Sequence, residues 1–178
     1  LRRMAVVLDA WQAKAPRVFV LPDRDSAVLA QAASTVLRAP IEYWPQGGST
    51  KAGLIVAYDL ANLRPAVRAE ISQHRTGQPL WVHASCWTTD ALPTGDFTTL
   101  LHQTNTSPFR SRSIADFEGD TKRMATEVLE SSPESSVIDD YPTLIKLAKA
   151  ATKHLGPQGA GAFRTDGPRR LQLAGSPV

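Results

Sequence analysis

The sequence predicts a three-layer α/β sandwich with a mainly parallel sheet, of the Rossmann-like or flavodoxin-like kind. Three observations predict it. Residues 17–23 (RVFVLPD), 54–60 (LIVAYDL) and 79–87 (PLWVHASCW) are strand-length runs with little or no polar alternation, as expected of strands buried on both faces of a parallel sheet. Segments with apolar residues at helical spacing alternate with strands, at 26–37 and 62–75, the pattern of βαβ units. The chain has 178 residues, 42% of them hydrophobic. A chain of that size buries about 70% of its unfolded surface and needs no disulfide or metal staple.

Residues 3–14 read as a helix through Met4, Val7, Leu8 and Trp11, ended by Ala15-Pro16, since a residue before proline leaves the α region. Val18 to Leu21 is the first strand. Asp25 or Ser26 caps the next helix, whose Val28, Leu29, Ala32, Val36 and Leu37 share a face until Ala39-Pro40 stops it. A short second strand follows at 41–44. The loop 45–53 contains no helix. Nine extended residues reach about 30 Å, enough to cross back to the start of a parallel strand, and the central look of LIVAYDL favours this over an antiparallel hairpin. A right-handed crossing is the default. Asn62 is the expected N-cap of the helix at 62–75, with Pro65 in its first turn, Val67 and Ile71 facing inward and Gly77 as its stop.

The second half is less regular. Residues 88–113 are rich in Thr, Ser and Pro, with a short helix expected at 96–103. Helices fit 114–131 and 142–154, separated by the polar SSPESS, and would cover the sheet or form an extra lobe. Asp166-Gly167 suits a hairpin turn between AFRT and RRLQL. The expected organisation is one α/β domain over 1–155, with its sheet core at 17–87 and a helical, loop-rich part at 88–155. A glycine-rich tail or small hairpin fills 156–178.

The formal net charge of +3 and pI of about 9.2 are spread thinly. Residues 1–106 carry ten Lys/Arg against eight Asp/Glu, and residues 107–178 ten against nine. No concentrated basic footprint exists for nucleic acid. Lys146, Lys149 and Lys153 read as a solvated helix face, while Arg110, Arg112 and the Arg169-Arg170 pair remain isolated candidates for phosphate contact. One cysteine, Cys86, excludes an intrachain disulfide framework, and the four histidines show no ligand spacing for zinc. No apolar run approaches the ~18 residues of a membrane span, and Met4 to Leu8 is too short for a signal-peptide core. A cytoplasmic setting is expected. The chain opens on Leu1, so a part of a longer protein is one expectation.

In open α/β sheets ligands bind beyond the carboxyl ends of the strands. That rule selects Asp23, Arg24, Asp25 and Ser26, then Asp59 and Asn62, then Ser85, Cys86, Thr88, Thr89 and Asp90. Their oxygens suit magnesium, although no complete metal motif is present; helix capping explains Asp25, Ser26 and Asn62 equally well. The loop QGGSTK at 46–51 has the makings of an anion-binding nest, without Walker spacing or a following helix, and offers Lys51. GPQGAG at 156–161 follows a helix and reads as its termination. Cys86 has a parity in its strand that turns it from His83, and HASCW lacks the glycines of a nucleophile elbow. His74 or His102 stays open as a distant base. The tryptophans at 44, 81 and 87 read as core rather than stacking platforms.

VFVLPDRDSA resembles the first motif of the haloacid dehalogenase phosphatases, an apolar strand ending in Asp-x-Asp. The resemblance implies Asp23 as nucleophile and Asp25 as general acid. The mechanism also needs a lysine and a second acidic pair, and Gly119-Asp120 and Asp139-Asp140 follow no convincing strand.

The expected function is binding or transforming an anionic small molecule, phosphorylated or nucleotide in kind, at the carboxyl edge. Asp23, Asp25, Asp59, Ser85 and Asp90 would form the site, and Arg24 or Lys51 would balance ligand charge. The alternative is a non-catalytic interaction or regulatory domain with a protein partner. A nucleic-acid-associated protein is the lesser alternative.

Overall fold

The computed structural model describes residues 1–13, 15–86, 88, 92–109, 116–131, 140–154 and 166–169. Along the chain, α1 (Arg2–Ala10) is followed by β1 (Val18–Val20), α2 (Arg24–Leu37), β2 (Ile41–Tyr43), β3 (Leu54–Ala57) and a 3-10 turn (Leu60–Asn62). Then come α3 (Pro65–Ile71), β4 (Gln73–His74), β5 (Leu80–Cys86), β6 (Phe97–His102), α4 (Phe117–Glu130), α5 (Tyr141–His154) and β7 (Gly167–Pro168). Five strands form an all-parallel sheet in the order β2-β1-β3-β5-β6. β4 and β7 form a small antiparallel ribbon.

Successive strand residues face opposite sides, which explains why the apolar runs are unbroken. Val18, Val20, Val56, Tyr58 and Trp81 pack on one side with Met4 and Leu8 of α1, Val28 and Ala32 of α2, and Met124 of α4. Phe19, Leu21, Ile55, Ala57, Leu80 and Val82 pack on the other with Leu60, Leu63, Val67 and Ile71. The result is the predicted three-layer α/β sandwich. α4 packs on α2 and α5 on α1, where the Trp11 indole N–H donates to Ala148 O at 2.8 Å. The Lys146, Lys149 and Lys153 side chains are exposed.

The connection between β2 and β3 is a helix-free crossover, since both strands run parallel to β1 on its two sides. Its backbone finds partners in side chains that anchor it. Gly47 N donates to Glu70 Oε1 at 2.9 Å, and the buried Gln78 Nε2 donates to Ser49 O and Lys51 O, both at 2.7 Å. Gly47 and Gly48, with φ of 86° and 84°, take the left-handed conformation that glycine adopts without strain.

Several expectations need correction. Residues 96–103, expected helical, hold the strand β6 instead. Phe97, Thr98 and Leu100 to His102 pair with β5, and Thr99 Oγ1 accepts from the Trp81 indole at 2.8 Å. A short apolar run has no decisive period, and the tertiary partner decides it. Asp23, rather than Asp25 or Ser26, caps α2. Asn62 caps nothing: α3 begins at Pro65, and its N-cap Arg64 makes no side-chain cap. Gly167-Pro168 pairs with Gln73-His74; the two arms of the expected hairpin fall almost wholly in 155–165 and 170–178, which lie outside the described residues. Asp166 accepts from Thr76 N at 2.6 Å. Arg169, a candidate for phosphate contact, is buried and bonded within the protein. Among the described residues no helix is long and apolar enough to cross a membrane.

Candidate functional site

Val20 and Val56 are register partners on β1 and β3, so Asp23 and Asp59 each lie three residues beyond the same rung. This is the switch point of the sheet: β1 leads away to β2 on one side, while β3 lies on the other, the place where open α/β sheets hold ligands.

Asp23 Oδ1 accepts from Ser26 N at 2.9 Å, the capping bond that starts α2. Its Oδ2 is buried and finds no hydrogen-bond partner among the described residues. Burial pushes the Asp23 carboxyl above its ordinary value, the bonds from Ser26 pull it back, and the Asp25 charge adds a smaller upward push. Ser26 is fully buried, and its Oγ accepts from Tyr58 N at 2.8 Å, tying the start of α2 to the end of β3. Arg24 and Asp25 pair with each other at 2.7 Å.

The raised Asp23 pKa has a stability consequence with a definite sign. Between the unfolded value near 3.8 and the higher folded value, the native state holds more protons, so stability falls as pH rises through that window. Asp23→Asn keeps an acceptor for Ser26 N and carries no charge. It is expected to be at least as stable as the wild type at pH 7, with the difference closing as pH falls toward 4. Asp23→Ala, which loses the cap, is expected to cost about 1 kcal/mol. Urea denaturation at both pH values checks this; an Asn variant less stable than the wild type at pH 7 would contradict it.

Asp59 caps the 3-10 turn through Oδ1, which accepts from Ala61 N at 2.9 Å. Its Oδ2 faces His102 Nε2 at 3.6 Å, with both side chains nearly buried. Neither ring nitrogen of His102 has a hydrogen-bond partner among the described residues. Cys86 is the register partner of His102, so the two share a face. The Cys86 thiol donates to Gln103 O at 3.3 Å and lies 3.1 Å from Thr88 Oγ1.

The other expected residues separate from this group. Ser85 lies on the opposite side of β5 from Cys86, in register with Leu101. Lys51 precedes β3, at the amino edge of the sheet, and its Nζ pairs with Glu42 at 2.7 Å. The crossover that carries it begins at one edge and ends at the other, so Gln46 and Lys51 stand at opposite ends of the strands. Asp90, Thr89 and Trp87 lie outside the described residues. Among the described residues no group of three or more His, Cys, Asp or Glu side chains can hold a metal ion. Asp120 forms an ion pair with Arg123 on α4, away from any strand end.

Beside the switch point lies a cavity of about 330 Å³ between the ends of β1 and β2 and the helix α3, lined by Pro22, Trp44, Gln46, Arg64, Val67 and Glu70 among others. Trp44 is nearly buried and sets its edge against Phe19, with ring centroids 5.2 Å apart. Glu70 is engaged through both oxygens, accepting from the Trp44 indole at 2.8 Å and from Gly47 N at 2.9 Å. The amide nest expected in QGGSTK thus already holds a carboxylate of the protein itself. Arg64 is exposed, and no hydrogen bond or ion pair to its guanidinium is present among the described residues.

Comparison with protein-family models, with curated proteins and with solved structures finds no match to this chain. The cavity, Arg64, Trp44 and Gln46 were not selected by the rule that looks just past each strong strand. The signal for them is the loop after β2, the weakest strand in the sequence.

Proposed function

We propose that this chain binds a small anionic molecule, phosphorylated or nucleotide in kind, in the cavity at the carboxyl edge of its sheet. The observation that carries the reading is Arg64: a guanidinium bordering a cavity beside a sheet switch point, with no carboxylate paired to it among the described residues. Its planar fork of donors matches phosphate and carboxylate oxygens. Trp44 supplies a rigid aromatic wall and Gln46 a polar side chain at the rim. Asp23 and Asp59 lie past the ends of β1 and β3, with His102 at the end of β6 facing Asp59, and a ligand extending across the switch point would meet the two carboxylates. The single cysteine of the chain accords with a cytoplasmic setting.

A thermal-shift comparison of inorganic phosphate, ribose 5-phosphate and AMP, with and without magnesium, tests the reading. A ligand at 100 times its Kd stabilises by about 2.7 kcal/mol, which is about 5–10 °C for a domain of this size. Arg64→Met is expected to weaken binding at least about tenfold, by loss of a charge-assisted contact. No shift with any of the three probes would sink the proposal.

A second reading, an interaction domain, is favoured by one observation. β6 is an edge strand of the sheet, and on it Leu100 and Leu101 are 44% and 67% exposed. Open edges with apolar side chains invite pairing with another chain. Light scattering of the wild type against Leu101→Lys separates the readings: concentration-dependent association that the lysine abolishes supports the edge as an interface, and a monomer at all concentrations removes self-association from it.

A further inference from the structure

Residues 166–169 form a short strap at the amino edge of the sheet, held at both ends. Asp166 Oδ1 accepts from Thr76 N at 2.6 Å and from Thr76 Oγ1 at 2.9 Å. Gly167 and Pro168 pair with His74 and Gln73. At the other end Arg169 N donates to Ser72 O at 2.7 Å, and the guanidinium reaches Ile71 O, Gln78 O and Asp96 Oδ2. Asp166 and Thr76 are exposed, whereas Arg169 is buried. A surface contact thus guards a buried one.

The two elements that this strap joins are walls of the cavity at the carboxyl edge. α3 and the residue before it supply Arg64, Val67 and Glu70 to the lining, and the crossover between β2 and β3 supplies Gln46. Arg169 holds the carbonyls of Ile71 and Ser72, the two residues after Glu70. It also holds the Gln78 carbonyl, and the Gln78 side chain donates to Ser49 O and Lys51 O of the crossover, both at 2.7 Å. Glu70 closes the circuit by accepting from the Trp44 indole and Gly47 N. Arg169 itself is not part of the cavity lining. Its influence runs through where it sets α3 and the crossover. α3 has only seven residues, and a helix that short keeps its place through tertiary contacts rather than its own bonds. Hydrogen bonds from a guanidinium are among the stronger contacts available for this.

We propose that docking of residues 166–169 sets the affinity of the carboxyl-edge cavity for its anion. Docked, the strap fixes α3 against the crossover, with Arg64, Glu70 and Gln46 in binding position. Released, it leaves the two walls unfixed and the ligand binds more weakly. This regulation rests on the anion reading of that cavity, and Arg169 is a positioning residue in it. Linkage makes the effect reciprocal: bound anion tightens the strap by the same factor by which the docked strap tightens the anion. A factor of about five or more is expected, as in typical couplings between sites.

Amide hydrogen exchange of the full chain, with and without saturating AMP, is the test. The Arg169 amide is expected to exchange faster than the Ile55 amide, which donates to Pro79 O within the sheet, because the strap opens without global unfolding. AMP is expected to slow Arg169 exchange about fivefold or more. Binding without coupling slows only exchange through global unfolding, so it would leave a locally opening amide unmoved. Thr76→Glu sets a like charge against Asp166 and is expected to speed Arg169 exchange and weaken AMP binding about fivefold. Adding Asp166→Asn removes the repulsion, keeps an acceptor for Thr76 N, and should restore both. The exchange rates are read in the wild type, so they decide even if a variant fails to fold. No saturable AMP binding sinks the anion reading and the regulation with it. Saturable AMP binding with an Arg169 amide that is unmoved, or that exchanges no faster than Ile55, overturns the regulation alone. So does a Thr76→Glu chain that speeds Arg169 exchange yet binds AMP as tightly as the wild type.

Discussion

Arg169→Met is expected to destabilise the fold by about 3–5 kcal/mol, the usual cost of removing one partner from a buried ion pair. The Arg169 side chain is 2% exposed and pairs with Asp96 Oδ2 at 2.6 Å. It also donates through Nε to Ile71 O at 2.9 Å and through Nη2 to Gln78 O at 2.8 Å. Asp96 Oδ2 meanwhile accepts from Leu80 N at 2.7 Å. One guanidinium thus joins the end of α3, the entry to β5 and the entry to β6, and Gln78 continues the network to the crossover at Ser49 and Lys51. Removing it leaves the mostly buried Asp96 carboxylate without its counter-charge, although still bonded to Leu80 N, and takes a donor from the Ile71 and Gln78 carbonyls. Urea denaturation measures the loss. A double variant, Arg169→Met with Asp96→Asn, is expected to recover part of it, because the uncompensated charge goes too. A single variant within 1 kcal/mol of the wild type would contradict this account of the amino edge.

Trp44→Ala should cost about 3–5 kcal/mol and also abolish binding in the carboxyl-edge cavity. The nearly buried ring packs on Phe19, and its N–H holds Glu70, so it pins the end of β2 to α3. Losing it removes one wall of the cavity and frees the loop that carries Gln46. Trp44→Phe keeps the contact with Phe19 and loses only the hydrogen bond, for about 1 kcal/mol. Parallel denaturation and ligand titration of the two variants separate the effects: the Phe variant should retain most of its affinity, and the Ala variant none. Full affinity in the Ala variant would place the ligand elsewhere.

These residues show what was legible in the chain and what was not. β1, β3 and β5 were readable because both of their faces are buried, which forces an unbroken apolar run such as LIVA or VFV. The parallel crossover without a helix followed from the same burial, since a strand as apolar as β3 belongs in the middle of a sheet. β6 escaped because an edge strand with exposed leucines has no such constraint, and its FTTLLH fits a short helix equally well. Asp23 and Asp59 were found by position after a strand. The pairing of Asp59 with His102 was not, because it depends on strand order, which no local pattern encodes. Lys51 was selected for its glycine-rich loop, yet a crossover has two ends at opposite edges, and only the Gln46 end borders the cavity. Arg169 looked like a free basic residue because its partners at Asp96, Ile71 and Gln78 are remote in sequence.

The central claim is that an anionic ligand enters the cavity beside the switch point and is held there by Arg64. Its most direct test is a titration of AMP into isotope-labelled protein at low salt, followed residue by residue by NMR. The account predicts saturable shifts at the Trp44 indole N–H, the Gln46 side chain, and the Gly47 and Ala66 amides, all lost in Arg64→Met. Shifts confined to Lys146, Lys149 and Lys153 on α5 and erased by moderate salt, or no saturable shift at millimolar AMP, would contradict it.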